Sequence, residues 1–161
     1  MRLYRIAAQR FADSADQMLD GTGARRWGGP WNSPGRAAVY CMPSMALAAM
    51  EVLVHAFAQP VLQRYRWLAL DVPDARVEHL EADPFEPAAL TRAIGDRLLG
   101  PDGVLAFTVP TATAPVDRLA VLNPDHPDWS SAVRAADPEP FDFDPRIELA
   151  LRRHVRAPGG A

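Results

Sequence analysis

The sequence predicts an α+β fold in one domain that spans residues 1–161. Short strand patterns alternate with two or three helix patterns, and this mixed order is typical of the α+β class. The chain has 161 residues, of which 48% are hydrophobic and 23% are charged, so it is long and apolar enough to bury a core. Because we find neither an internal repeat nor a long linker, we expect no division into smaller domains.

Six short segments are predicted as strands. The first of them combines a β-branched and an aromatic residue, and two of the later ones flank a loop rich in proline, threonine and alanine. The predicted strands are Leu3–Ile6, Ala37–Cys41, Leu62–Val72, Val104–Val109, Arg118–Leu122 and Phe141–Arg153.

Two longer segments are predicted as helices. The first begins after Ser44, which is a favourable N-cap residue, and continues to about Phe57. The second is Pro87–Leu99, since proline is tolerated at the start of a helix. Shorter helical segments are predicted at Pro127–Arg134 and at Phe11–Leu19, where an irregular segment is the alternative.

The composition excludes several kinds of chemistry. All seventeen basic residues are arginine, so a lysine Schiff base and a P-loop lysine are impossible. A single cysteine, Cys41, excludes an internal disulfide framework and a cysteine-rich zinc site, and the four histidines are too scattered to predict a metal site. No stretch is long and apolar enough to span a membrane and the start does not resemble a signal peptide, so we expect a cytoplasmic protein.

Charge is distributed unevenly along the chain. Residues 1–66 carry eight arginines and four acidic residues, whereas residues 67–161 carry nine arginines and sixteen acidic residues. The positive first portion suits a small anionic ligand. Its excess is too small to predict direct binding of nucleic acid, for which a clearly basic domain is expected.

Glu51 is the most conspicuous candidate for chemistry. It lies in the middle of the first predicted helix, which is apolar almost all round and is therefore expected to be largely buried. Helical spacing places Ser44 and His55 on the same stripe as Glu51. A carboxylate on such a helix is costly unless it is paired, hydrogen-bonded or functional, although a solvent-facing glutamate is the plain alternative.

The other candidate ligand-binding residues also have ordinary structural interpretations. Tyr40, at the end of a predicted strand, is a ligand contact or a core aromatic residue, and Arg5 is a ligand contact or a surface charge. The segment Gly21–Gly35 holds five glycines and two prolines, which argues against regular structure for most of its length. Its two tryptophans, Trp27 and Trp31, are suited either to stacking on a flat ring or to packing in the core.

Taken together and in this order along the chain, these segments resemble the RES domain family. The resemblance covers nearly the whole chain, and it depends on several short motifs rather than on one long one. The segments that carry it are Gly21–Gly35, Ala38–Tyr40, Ser44–His55, Ile94–Asp96, Val109–Thr111, Leu122–Pro127 and Phe143–Arg146.

This resemblance implies an ADP-ribosyltransferase-like fold, with two small, roughly perpendicular mixed sheets and flanking helices around a cleft for NAD. It implies the toxin of a type II toxin–antitoxin pair, which consumes NAD as a substrate without a metal and transfers ADP-ribose to a protein, to water or to phosphate. The implied partner is an antitoxin protein with a helix-turn-helix DNA-binding domain, and a protein target is a further possible partner.

The resemblance also implies roles for particular residues. Glu51 matches the glutamate expected at the ribose, beside the bond that breaks, and is the predicted catalytic residue. Arg5 is expected near the phosphates or ribose of NAD, and Tyr40 is expected to stack on nicotinamide. The complete set of predicted NAD-binding residues is Arg5, Arg26, Trp31, Asn32, Tyr40, Ser44 and Thr111.

Two positions depart from the family pattern. Pro30 stands where the family usually has an arginine, and Thr111 stands where it usually has a serine. Threonine keeps the hydroxyl group, whereas proline removes a charge for which Arg25 or Arg26 is a possible substitute. The loss of that charge motivates an alternative hypothesis, in which the chain is a catalytically weak RES-like domain that acts mainly by binding a partner protein.

Overall fold

The strands form two sheets, each of four strands. A computed structural model describes residues 1–58, 64–83, 85–114, 116–147 and 149–150 of the chain. The strands of this part are β1 (Arg2–Ala8), β2 (Val39–Cys41), β3 (Tyr65–Asp71), β4 (Val77–His79), β5 (Ala106–Pro110), β6 (Arg118–Leu122), β7 (Arg134–Ala135) and β8 (Glu139–Phe141). This mixed architecture confirms the predicted α+β class.

The first sheet is built on a long antiparallel pair. Strands β1 and β3 are in register over their full lengths, from Arg2 opposite Asp71 to Ala8 opposite Tyr65. The other edge of β3 pairs antiparallel with both β7 and β8. In the second sheet the order is β2-β6-β5-β4, and only the β4–β5 pair is parallel, so this is the mixed sheet of the two.

One backbone bridge joins the two sheets. The amide of Tyr4 donates to the carbonyl of Met42 at 2.8 Å, and the amide of Met42 donates back to Tyr4 at 2.9 Å. Tyr4 lies in β1, and Met42 directly follows β2. The bridge therefore brings the middle of β1 next to the end of β2, and the helix that follows Met42 begins at this junction.

Two hydrophobic clusters lie on opposite faces of the second sheet, because successive strand residues point to opposite sides. One cluster fills the space between the sheets and includes Leu3, Val39, Leu70 and Leu122. The other cluster, which includes Leu47, Phe107 and Val121, lies under the longest helix.

Five α-helices with defined bounds surround the sheets, and residues 145–147 and 149–150 of the described chain are also helical. The five are α1 (Ala15–Leu19), α2 (Thr22–Trp27), α3 (Met45–Ala58), α4 (Ala88–Leu98) and α5 (Trp129–Ala132), and two 3-10 turns lie at Gln9–Phe11 and Asp74–Arg76. Both long predicted helices are confirmed to within one residue at each end. Ser44 is confirmed as the N-cap of α3, since its hydroxyl oxygen accepts a hydrogen bond from the Leu47 amide at 3.1 Å.

The prediction that α3 is largely buried is wrong. Leu47 and Ala48 are buried against the sheet, but Met50 and Val54 on the same helix are 48% and 50% exposed. An apolar composition predicts burial only where another element covers the helix, and nothing in the described chain covers this side. Helix α3 therefore presents an apolar strip to its surroundings.

Three other predictions of secondary structure need correction. The segment Gly21–Gly35 contains the six-residue helix α2, although its composition argues against regular structure. The last strand was predicted at Phe141–Arg153, but β8 ends at Phe141 and residues 145–147 are helical, while residues 151–153 lie outside the described residues. The short strands β4 and β7 were not predicted, because two or three mostly exposed residues carry no recognisable alternation.

Candidate active site

Glu51 is held by two threonine hydroxyl groups. One carboxylate oxygen, Oε1, accepts a hydrogen bond from Oγ1 of Thr111 at 3.0 Å and another from Oγ1 of Thr113 at 2.6 Å. Glu51 lies in the middle of α3 and is half-buried, whereas Thr111 is almost fully buried. The glutamate is therefore a fixed polar group rather than a free solvent-facing one, and this arrangement satisfies a carboxylate on an apolar helix.

The two threonines belong to the connection between β5 and β6. Its closure is fixed by backbone hydrogen bonds from Thr111 to the Asp117 carbonyl at 3.1 Å and from Asp117 to the Ala114 carbonyl at 2.8 Å. A longer contact of 3.4 Å joins the Thr113 amide to Oγ1 of Thr111. A connection at one end of the second sheet thus fixes the carboxylate of a helix that precedes it by about sixty residues.

Tyr40 takes part in a buried polar network with the glycine-rich segment, Gly21–Gly35. Its hydroxyl donates to Oδ1 of Asn32 at 2.7 Å and accepts from the Trp31 amide at 3.0 Å. The Asn32 side chain is fully buried, and its two amide protons are shared among three carbonyls, those of Ala24 and Ser33 in the segment and that of Arg36 just after it. These contacts give Asn32 a structural role in shaping the loop against β2.

Burial raises the pKa of the Tyr40 hydroxyl far above its usual value of 10.0. The hydrogen bond from the Trp31 amide and the positive charge of Arg92 offset this rise only in part. The phenol therefore keeps its proton at neutral pH, which agrees with its role as the donor to Asn32. Its half-buried ring is held in place from the hydroxyl end.

Replacing Tyr40 with phenylalanine is expected to lower the free energy of unfolding by about 1–3 kcal/mol. The substitution keeps the ring but leaves the Trp31 amide and Oδ1 of Asn32 without their partner, and an unsatisfied buried polar group costs that much. Urea denaturation of the two chains measures the difference. An unchanged midpoint would show that the network contributes nothing to stability.

Arg5 reaches from β1 to the backbone of β2. Its Nη1 donates to the Tyr40 carbonyl at 2.8 Å, and its Nε is buried without a hydrogen-bond partner among the described residues. Burial raises the pKa of the neighbouring Cys41 thiol to about 12, although the charge of Arg5 opposes this rise. Cys41 is therefore an inert core thiol, while Arg5 is a half-buried cation beside Tyr40 with unused donors.

Helix α4 packs closely on the glycine-rich segment. The hydroxyl of Thr91 donates to the Pro30 carbonyl at 2.5 Å, and Nε of Arg92 donates to the Gly29 carbonyl at 2.8 Å. One turn further on, Oδ1 of Asp96 accepts from the Ser33 amide at 2.9 Å. The motif Ile94–Asp96 thus has a structural explanation, because its aspartate anchors the segment that bonds to Tyr40.

Among the described residues, the contacts of the remaining predicted residues do not involve Glu51. The Trp31 ring is 3% exposed and packs edge-on against Phe107, so it has no open face for a ligand. Trp27 is 73% exposed, and the guanidinium group of Arg26 lies 4.8 Å from the centre of its ring. Ser44 caps α3, and Arg25 forms an ion pair with Asp125 at 2.6 Å.

Sequence reasoning missed two residues of this region. Thr113 was not singled out, because a threonine in a loop rich in small residues carries no periodic signal. Arg92 was not singled out because its charge lies on an ordinary helix face. Only the fold shows that Arg92 lies beside Gly29 and Tyr40.

The described residues contain neither a membrane-spanning helix nor a cluster of metal-binding side chains. None of the helices there is both long and apolar enough to cross a membrane. In the same part of the chain, no group of three or more histidine, cysteine, aspartate or glutamate side chains is close enough to hold a metal ion.

The chain is similar in sequence to proteins of a known family. Residues 2–144 match the model of the RES domain. The chain is 32% identical to Toxin Res of Yersinia enterocolitica, with 92% of this chain and 100% of that protein covered. It is also 32% identical to the Prs ADP-ribosylating toxin of Sphingobium sp., with 89% and 94% covered.

A solved structure shows the same fold. The chain superposes on the toxin of the MbcT–MbcA toxin–antitoxin complex of M. tuberculosis with a TM-score of 0.65, at 21% sequence identity, covering 94% of this chain and 88% of the other. The two sheets with flanking helices therefore form the same ADP-ribosyltransferase-like fold as that toxin. The chain belongs to the RES domain family.

Proposed function

We propose that the chain is the toxin of a type II toxin–antitoxin system and that it consumes NAD. In this proposal it cleaves the bond between nicotinamide and ribose and transfers ADP-ribose to a protein, to water or to phosphate. The observation that carries the proposal is the half-buried Glu51 carboxylate, held on one oxygen by Thr111 and Thr113. A relative that is named an ADP-ribosylating toxin supports the same reaction class.

The reaction requires a negatively charged carboxylate beside the ribose more than it requires a general acid to protonate the leaving group. Breaking the nicotinamide–ribose bond places positive charge on the ribose, as in other glycosyl transfers, and nicotinamide leaves as a neutral molecule. A fixed negative charge beside the ribose stabilises that cation and orients or deprotonates the acceptor. We assign this role to Glu51 for any of the three acceptors.

Arginine side chains are suited to the diphosphate of NAD, because guanidinium groups form charge-assisted and often bidentate hydrogen bonds to phosphate. Two arginines lie next to Tyr40: Arg5 contacts its carbonyl, and Arg92 places its charge near its hydroxyl. Each has a single recorded hydrogen bond within the described chain, which leaves other donors for a ligand. We therefore assign the diphosphate to Arg5 and Arg92, and the nicotinamide to the ring of Tyr40.

Substituting glutamine for Arg92 is expected to raise KM for NAD at least about tenfold and to change kcat much less. The loss of one charge-assisted hydrogen bond to phosphate is worth about 1.5–3 kcal/mol in binding, and a 1.4 kcal/mol loss corresponds to a tenfold change. Initial rates over a range of NAD concentrations measure both constants. Arg97→Gln is the matched control, because Arg97 is exposed on the same helix; an unchanged KM in Arg92→Gln would remove Arg92 from the site.

The proposed reaction is tested by incubating the purified chain with NAD and measuring released nicotinamide. Mass spectrometry of the mixture, and of lysate after expression, identifies free ADP-ribose, its phosphate or an ADP-ribosylated protein, and so distinguishes the three acceptors. We expect nicotinamide release with at least one of these products. No release and no labelled protein would favour the alternative of a protein-binding module.

We further propose a single domain over residues 1–161, a cytoplasmic location and an antitoxin partner that carries a helix-turn-helix DNA-binding domain. The structural neighbour is a toxin bound to its antitoxin, which supports a protein partner for this chain. The exposed apolar residues Met50 and Val54 on α3 provide a surface of the kind that protein partners cover.

A further inference from the structure

We propose that Thr113 is a positioning residue that fixes the carboxylate plane of Glu51 and so keeps the second carboxylate oxygen directed at the ribose. This inference rests on the proposed function and adds a residue to it. It starts from an asymmetry in the site, since both threonine hydroxyls donate to Oε1, at 3.0 Å from Thr111 and 2.6 Å from Thr113. The other oxygen, Oε2, receives no hydrogen bond from any described residue.

The donors leave little freedom at this carboxylate. A threonine hydroxyl has one proton to donate, and in both side chains that proton is committed to Oε1. The Thr113 amide also approaches Oγ1 of Thr111 at 3.4 Å, so it favours the orientation in which Thr111 donates to Glu51. Thr113 thus acts on the carboxylate directly through its hydroxyl and indirectly through Thr111.

Two hydrogen bonds to Oε1 also fix the direction in which Oε2 points, because the two oxygens belong to one planar carboxylate group. The terminal torsion of a glutamate side chain is broad and roughly two-fold, so an unrestrained carboxylate turns easily. Two donors on one oxygen hold the carboxylate plane and leave the lone pairs of Oε2 free for the developing cation and the acceptor proton. Of the two contacts the one from Thr113 is the shorter, which makes its hydroxyl the stronger restraint.

The expected consequence is a loss in the chemical step rather than in binding. A poorly oriented carboxylate is still present when NAD binds, but it stabilises the transition state less well. Small misplacements of a catalytic group cost up to about 10²-fold in rate. Thr113→Val, which keeps the branched shape and removes the hydroxyl, is therefore expected to lower kcat about 10- to 100-fold and to change KM by less than about threefold.

The test compares Thr113→Val with Thr113→Ser in the nicotinamide-release assay, using the full chain. Serine restores the hydroxyl without the methyl group, so its kcat is expected to return to within about threefold of the parent value. Thr22→Val is the matched control, because Thr22 is exposed on α2 and its side chain has no recorded hydrogen bond. We expect it to leave both constants unchanged.

Three other outcomes would overturn the role of Thr113, and they differ in whether the proposed function survives. A parent-like kcat in Thr113→Val, while Glu51→Gln is inactive, would overturn the role of Thr113 and leave the proposed function standing. A kcat in Thr113→Ser as low as in Thr113→Val would also overturn it, because the hydroxyl would then not matter. If the parent chain neither releases nicotinamide nor labels protein, the proposed function fails and the role of Thr113 fails with it.

Discussion

Exchanging Glu51 for glutamine is expected to reduce nicotinamide release by at least about 10²-fold, which corresponds to about 2.7 kcal/mol of lost transition-state stabilisation. Glutamine has the same shape, and its carbonyl oxygen can still accept from the hydroxyls of Thr111 and Thr113. The side chain therefore stays in place while the negative charge beside the ribose disappears. The measurement is kcat/KM for NAD, together with growth arrest on expression at equal protein levels.

The matched control is Glu78→Gln. Glu78 is exposed on β4, and it has no recorded hydrogen bond or ion pair within the described chain. This variant loses the same charge elsewhere on the surface and is expected to keep the parent rate. Nicotinamide release in Glu51→Gln within a few-fold of the parent value would contradict the assignment of Glu51, provided that thermal denaturation shows both variants to be folded.

Local patterns were sufficient for the long elements of the fold. Helices α3 and α4 and strand β6 were placed to within a residue, because each has a clear start, stop or apolar period. Helix α2 was not predicted, because its glycine-rich sequence disfavours a helix and tertiary contacts are what stabilise it. Its Ala24 carbonyl accepts from the buried Asn32 amide, and a glycine with positive φ stands at each end, Gly21 at 66° and Gly28 at 73°.

The candidate site was predictable only in part. The resemblance to the family pointed to Glu51 and Thr111, which are hydrogen-bonded although they lie 60 residues apart. It also pointed to Trp31, which packs against Phe107, and to Asn32, which is hydrogen-bonded to Tyr40. Thr113 emerged only from the fold, because a residue that acts through a partner 62 positions away leaves no local pattern.

Gly95→Ala is expected to destabilise the protein by about 3 kcal/mol, at the upper end of what overpacking usually costs. On helical propensity alone the change is favourable by up to about 1 kcal/mol, since alanine is the better helix former. A Cβ at Gly95, however, would overlap the Trp31 carbonyl oxygen and lie 2.8 Å from its carbonyl carbon. The obstacle is backbone, so no change of side-chain rotamer can relieve it.

The overlap can be relieved only if α4 or the glycine-rich segment on which it packs moves. Trp31 is buried against Phe107, and hydrogen bonds from α4 on both sides of Gly95 hold the segment, through Arg92 and Asp96. For a domain of this size, 3 kcal/mol corresponds to a fall in Tm of roughly 6–12 °C. Gly23→Ala is the matched control: a Cβ there meets nothing within 4 Å on a helix, so its Tm should stay level or rise slightly. Equal Tm values for the two variants would contradict the prediction. They would mean that α4 can move away from the glycine-rich segment without loss of stability, so that α4 does not hold the segment that bonds to Tyr40.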